Sequence, residues 1–216
     1  MASIELRKLR HDKIFQGNKN PTFDRVSIVG NSGMLKHQDH GDRIDDSDCV
    51  VRLNAAPVFG WEPHVGSKTS FRVINGLLQK GKTLGYTSTP KHWLKQVRDE
   101  NLIWVPVSDR SEKIAKRLSH ESNIIYHLTP KVKSWICVDV KSELRKFCST
   151  GLFSVLVFSC LSDVVDVYGF GFHQEDISQR HYWEKWSSSH DSSHQWQQEQ
   201  EIMVSWDQEY DFFNLI

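Results

Sequence analysis

An α/β domain on a mostly parallel sheet is the fold class this sequence predicts, and three observations predict it. Short runs rich in Val and Ile alternate with longer stretches of helical pattern, the alternation that βαβ units produce. The chain has 216 residues with no visible repeat or dividing linker, the size of one domain at about 100–200 residues. Hydrophobic residues are 38% and charged residues 25%, which is ordinary for a protein with a real core. A chain of this size buries about 70% of its unfolded surface, so its core does not need disulfides.

Residues 1–22 read as a loose N-terminal arm and residues 23–216 as the domain. The first strand is expected over 25–30, where an apolar run enters the Gly30-Asn31-Ser32-Gly33 turn, followed by a short helix over 33–38. Strands at 49–53 and 69–74 come next, each β-branched and bounded by polar residues. Helical patterns at 91–100 and 109–119 flank a strand at 102–107, and a further strand is expected at 123–127. Helices over 132–147 and 151–162 lead to a strand over 164–168, and a last helix is expected over 195–206. Residues 181–200, HYWEKWSSSHDSSHQWQQEQ, are polar and aromatic with almost no aliphatic side chain. Such a stretch cannot pack as core along its length, so it is expected to be exposed or to line a cleft.

Charge and cysteine usage exclude several classes. Lys+Arg 27 balance Asp+Glu 27, which argues against a basic nucleic-acid binder. Cys49, Cys137, Cys148 and Cys160 are too widely spaced for a zinc site, and no metal is assigned. The longest apolar run, 152–161, is broken by Ser154 and Ser159, so neither a signal-peptide core nor a span of about 20 apolar residues is present.

The first candidate for chemistry is the Gly30-Asn31-Ser32-Gly33 turn. Glycines let the backbone approach a ligand, and N–H groups at a helix start favour an anion at the C-terminal end of the strand. It is neither the dinucleotide fingerprint nor a P-loop, and a plain strand-to-helix connection explains it equally. Ser149-Thr150-Gly151 opens the apolar helix. It reads as an N-cap worth about 1 kcal/mol or as a second set of donors for a phosphate or ribose. The strand at 164–168 exits through Gly169-Phe170-Gly171, either a tight core turn or a flat wall for a base.

Together these stretches form a pattern. VSIVGNSGMLKHQDHGDRIDDSDCVVRLNAAPVFGWEPHVGSKTSFRVIN resembles the large sialylmotif of the eukaryotic-type sialyltransferases, glycosyltransferase family 29. STGLFSVLVFSCLSDVVDVYGFGF resembles the small sialylmotif, HYWE at 181–184 the third, and His194 to Glu199 the last, very small one. They follow the family's order and span residues 26–199.

The resemblance implies a GT-A-like variant: a Rossmann-like, mostly parallel sheet flanked by helices in a single domain. It implies an inverting transferase that moves sialic acid from CMP-sialic acid to a sugar hydroxyl of a glycan or glycolipid, with no metal or other cofactor. Matched residue by residue, Asn31, Ser32 and Asn54 hold the donor phosphate and ribose. Ser149, Thr150 and Gly151 hold the cytidylate, Phe170 and Gly171 border the nucleotide, and His181 reaches the phosphate. His194 is the general base, since an imidazole with a pKa of about 6.5 can take a proton near neutrality. Tyr182 and Glu199 have structural or orienting roles. Asp46-Ser47-Asp48 imitates an Asp-x-Asp metal signature, but its place before a strand makes it a solvated turn.

Two departures matter. The positions at which the family joins its two main motifs by a disulfide are Val26 and Ser162. With the missing signal anchor this predicts a soluble, cytosolic enzyme, the Golgi lumen being the alternative if the sequence is part of a longer protein. Acceptor-choosing loops are few, so the acceptor is not legible. A CMP-Kdo donor and a CMP-binding module without transfer activity stand as alternatives. A Rossmann oxidoreductase is disfavoured because the first turn lacks the required glycine spacing.

Overall fold

The computed structural model describes residues 12–17, 19–75, 100–105, 125–170, 181–183 and 195–216. Among them seven strands form one sheet: β1 (Phe23–Val29), β2 (Cys49–Leu53), β3 (Phe71–Ile74), β4 (Asn101–Trp104), β5 (Ile125–Tyr126), β6 (Ser162–Tyr168) and β7 (Phe213–Leu215). Their order is β5-β4-β3-β2-β1-β6-β7, and each neighbouring pair is parallel. The chain steps outward from β1 to β5, then crosses to the far side of β1. The order therefore reverses between β1 and β6, and the crevice beyond their C-terminal ends is where such sheets bind ligands.

A 3-10 turn (Gly33–His37) and the short helices α1 (Gly41–Asp45) and α2 (Glu62–Val65) cover one face near that edge. Further along, α3 runs from Pro130–Ser134 through a π-helical stretch, Trp135–Val140, to Lys141–Leu144. α4 (Thr150–Phe158) and α5 (Trp196–Glu209) complete the described helices.

Strand alternation divides the core in two. Val26 and Ile28 of β1, Val51 and Leu53 of β2, Phe71 and Val73 of β3, and Val165 and Val167 of β6 share one face with α4. Every residue of α4 from Gly151 to Phe158 is buried, so this helix is apolar on all sides rather than striped. Its one interior hydroxyl, Ser154 Oγ, donates to Thr150 O at 2.7 Å. The opposite face carries Val29, Val50 and Tyr168 together with buried polar groups: Ser27, Arg52, Arg72 and Asp166.

Several boundaries differ from expectation. β6 begins at Ser162 because α4 stops at Phe158 and a turn closes with Leu161 N–H on Phe158 O at 2.9 Å. The helix expected over 132–147 starts at Pro130 and gives way to the left-handed Arg145 (φ 57°). β7 was not anticipated; three residues show no period, and it is held by β6, with Ile216 N–H on Val167 O (2.9 Å) and Asn214 on Asp166 (2.7 Å). The arm is not loose where it is described. Ile14 and Phe15 are buried, Gln16 N–H donates to His127 O and Thr129 N–H to Ile14 O, each at 2.8 Å. The helices expected over 91–100 and 109–119 lie outside the described residues, save Glu100, which is a bend. No helix among the described residues is long and apolar enough to cross a membrane.

The register sets Phe23 opposite Ser162 and Val26 opposite Val165. The positions that the family resemblance would bridge thus lie on neighbouring strands, joined here by a parallel ladder. All four cysteines remain thiols, and burial pushes the Cys49 thiol up to about 12.

Phe158→Ala is expected to cost about 3–5 kcal/mol, read as a lower denaturant midpoint, because Phe158 is fully buried against Phe71 at 5.4 Å. A second expectation concerns acid. Burial alone would raise the Asp45 carboxyl, but the Ser67 and Lys68 N–H groups and the Ser67 hydroxyl outweigh it and hold it below its ordinary value. A depressed carboxyl contributes stability that is present above its unfolded pKa and lost as pH falls through the folded one. The acid-unfolding curve of Asp45→Asn should therefore be flatter than that of the parent below about pH 4; an identical slope would refute this.

Candidate functional site

Three turns meet where the strand order reverses. Gly30 N–H donates to Tyr168 O at 2.8 Å and Ser32 N–H to Gly169 O at 3.1 Å, lacing the exit of β1 to that of β6. There is no room for a side chain between them. A Cβ on Gly30 would stand 2.4 Å from Gly169 O and 2.9 Å from the Phe170 ring. One on Gly151 would stand 2.7 Å from the same ring. Phe170 is thus a wedge between the turn after β1 and the first turn of α4, so part of its surface is committed to protein.

The start of α4 is tied on two sides. Ser149 Oγ accepts from Leu152 N–H at 3.1 Å, the N-cap expected from sequence. Its own N–H donates to Glu199 Oε1 at 2.8 Å. Glu199 is 2% exposed, so a buried carboxylate fastens α5 to the N-terminus of α4, the end that favours negative charge. Thr150 opens α4 and is half-buried. Burial, with Glu199 nearby, raises the Cys148 thiol.

Asn31 O accepts from Tyr182 N–H at 3.0 Å, which brings the segment 181–183 onto the turn after β1. Asn31 Oδ1 is buried and has no hydrogen-bond partner. Buried polar atoms are nearly always satisfied, so this carboxamide oxygen is an exception among the described residues of the turn. Ser32 Oγ accepts from Met34 N–H at 3.3 Å and caps the 3-10 turn. Tyr182 is 1% exposed, donates its hydroxyl to Pro57 O and meets Trp61 edge-on at 5.3 Å. Its burial pushes the phenol up to about 12. His181 stacks on Trp183 with centroids 4.5 Å apart.

Asn54 leaves β2 in a left-handed conformation (φ 53°), and its Oδ1 accepts from Asn75 N–H at 3.0 Å. Its carboxamide oxygen is therefore spoken for, which leaves Nδ2 as the side chain's donor. Gly171 and His194 lie outside the described residues.

Asp46-Ser47-Asp48 precedes β2 and so lies at the N-terminal edge of the sheet, opposite the crevice. Asp46 and Asp48 are exposed as expected, and Asp48 accepts from Arg25 N–H at 2.9 Å. Ser47 is instead buried and hydrogen-bonded to Ser27 at 2.7 Å. Among the described residues no three His, Cys, Asp or Glu side chains come together to hold a metal ion.

Sequence reasoning missed two buried arginines. Arg52 donates to the carbonyls of Val65 (2.9 Å), Gly66 (3.0 Å) and Lys68 (2.7 Å) and to Thr69 Oγ1 (2.8 Å). Arg72 grips Glu100 and the carbonyls of Asn54 and Ala56. The signal was a single Arg inside each of two otherwise apolar strands, CVVRL and FRVI.

Residues 4–209 match the model of glycosyltransferase family 29 (sialyltransferase). The CMP-N-acetylneuraminate-beta-galactosamide-alpha-2,3-sialyltransferase 1 of Mus musculus is 28% identical over 189 residues, 80% of this chain and 54% of that protein. Its Gallus gallus counterpart is 31% identical over 193 residues, 82% of this chain and 54% of that protein. The CMP-N-acetylneuraminate-beta-1,4-galactoside alpha-2,3-sialyltransferase of Homo sapiens is 59% identical over 58 residues, 26% of this chain and 16% of that protein. The chain spans about half the length of the first two relatives. A crystal structure of a mammalian sialyltransferase in complex with Gal-beta-1-3GalNAc-ortho-nitrophenol superposes with a TM-score of 0.62 at 25% identity, covering 90% of this chain and 69% of that one. A second mammalian sialyltransferase structure, at 22% identity and TM-score 0.64, covers 98% of this chain and 83% of that one and shares its fold.

The turn geometry predicts unequal effects of adding one methyl group. Gly30→Ala should destabilise by about 1–3 kcal/mol or more, because a backbone carbonyl blocks the new Cβ. Gly17→Ala, with nothing within 4 Å but φ at 86°, should cost only about 1 kcal/mol from backbone strain. Equal denaturation midpoints for the two variants would contradict the wedge.

Proposed function

This chain belongs to glycosyltransferase family 29, the sialyltransferases, and from that premise we propose that it transfers sialic acid from CMP-sialic acid to a hydroxyl of a glycan or glycolipid. The reading includes inversion at the anomeric carbon, a histidine base and no metal. The relatives' names carry CMP-N-acetylneuraminate rather than a Kdo donor, and this favours sialic acid.

The observation that carries the proposal is the meeting of three motif turns on Phe170 at the reversal point of the sheet. The buried, unpartnered Asn31 Oδ1 supports the reading of Asn31 as a contact for the donor there. A carboxamide turned by 180° presents Nδ2 at the same place, so it can serve a phosphate or a ribose. α4 starts in the same cluster, and its first N–H groups suit the cytidylate phosphate.

In the proposed reaction an acceptor oxygen bonds to the anomeric carbon as the bond to the CMP phosphate oxygen breaks. The acceptor proton goes to His194 and the electron pair to the phosphate. Departing charge falls to Ser149, Thr150 and Gly151 at the start of α4 and to His181. The leaving group is a monophosphate ester, carrying less charge than a diphosphate, which suits stabilisation by N–H and imidazole groups. Both ends of the stretch that carries His194 are fixed at the crevice: Tyr182 on Asn31, and Glu199 on Ser149. This supports orienting roles for Tyr182 and Glu199 and a place for His194 within reach of the donor.

The four cysteines are free thiols, a state that both the cytosol and the Golgi lumen permit.

The test is CMP release from CMP-sialic acid with a β-galactoside acceptor. His194→Ala should lower the transfer rate by about 10²–10⁴-fold. kcat/KM of the parent should fall on the acid side with an apparent pKa of about 6–7, and chelator should leave the rate unchanged. Full activity of the alanine variant, or loss with chelator, would overturn the corresponding part of the mechanism.

A further inference from the structure

Arg72 is 3% exposed and uses three of its nitrogens. Nε and Nη2 form a fork on the Glu100 carboxylate, the Nη2 bond being 2.8 Å. Nη1 donates to Asn54 O at 2.9 Å and to Ala56 O at 3.0 Å. The pair links the middle of β3, the residue before β4 and the turn leaving β2.

Stability alone is a poor reason for this arrangement. A buried ion pair commonly does no better than well-packed apolar residues of the same volume. Here the register also sets Arg72 directly beside Arg52, another buried arginine. Burial and the charge of Arg72 draw Arg52 down to about 10, so the two cations oppose each other inside the fold.

The arrangement does control one residue closely. Asn54 is held in its left-handed conformation by its own N–H on Val73 O (2.8 Å), by Arg72 on its carbonyl, and by Asn75 N–H on its Oδ1. All three contacts come from β3 or its exit. Fixing both carbonyl and carboxamide oxygen fixes the direction of Nδ2.

We propose that Arg72, locked by Glu100, is a positioning residue for the donor: it presets the turn at Asn54 and acts on the reaction through that carboxamide. This rests on the reading of Asn54 as a donor contact. A lysine cannot replace the guanidinium, because one ammonium does not reproduce a planar fork with further donors for two carbonyls.

The experiment is a double-mutant cycle on donor KM with Arg72→Lys, Asn54→Ala and the double variant, with near-ultraviolet circular dichroism as the check on fold. Arg72→Lys should raise the donor KM by about 10-fold with acceptor KM unchanged, and the double variant should be no worse than Asn54→Ala alone. Glu100→Gln should shift donor KM in the same direction by less, and it replaces Arg72→Lys in the cycle if that variant does not fold. Independent, multiplying effects would overturn the inference while leaving Asn54 as a donor contact. An unchanged donor KM in Asn54→Ala would instead remove the donor reading of Asn54, and the inference with it.

Discussion

The close approach of two backbones at Gly30 and Gly169, with the Phe170 ring driven between Gly30 and Gly151, is the constraint on which the site depends. It exists because β1 and β6 are neighbours at the one place where strand order reverses. It demands glycine at each point for its own reason: a Cβ on Gly30 would meet the Gly169 carbonyl and the Phe170 ring, one on Gly151 that ring, and Gly169 is left-handed (φ 66°) against the Leu35 side chain. Once those three turns are pressed together, the carboxamide of Asn31 and the first turn of α4 cannot move apart. Binding groups held by such packing need little reorganisation when a ligand arrives.

The two faces of the sheet divide the work. One packs against α4, which is apolar throughout; it supplies the burial that holds the domain together. The other carries charges that are satisfied locally. Asp166 is held by Arg25 at 2.6 Å and by Asn214 at 2.7 Å, Ser27 pairs with Ser47, and the two arginines grip backbone carbonyls of the loops after β2. These groups add little net stability once desolvation is counted. What they add is a single conformation for the loops whose carbonyls they grip, beside the apolar anchors Ala56 and Val65.

Much of this was legible. Val-rich strands, the capping Ser149 and the glycine turns each report a local backbone demand, and local demands are written in local sequence. The misplaced features have distant causes. β7 is a strand only because β6 offers an edge, and Ile14 is core only because residues 127–129 accept the arm. Glu199 was given a structural or orienting role by the family resemblance, but the partner that accounts for its burial, the Ser149 N–H, lies fifty positions earlier in the chain and is not written in its polar surroundings. Arg52 and Arg72 were the most informative oversight, since a lone charge inside an apolar strand must find partners once buried.

The same reasoning explains how a polar, aromatic segment can belong to a rigid site. Residues 181–183 and 195–200 have few aliphatic side chains with which to bury themselves. Their attachment uses a few specific buried contacts instead, among them the Tyr182 N–H on Asn31 O, its ring against Trp61 with its hydroxyl on Pro57 O, and the Glu199 carboxylate on Ser149 N–H. The Tyr182 side chain ends in the loop between β2 and α2 and the Glu199 carboxylate on the capping residue of α4, so each described segment is tied to a different element around the crevice.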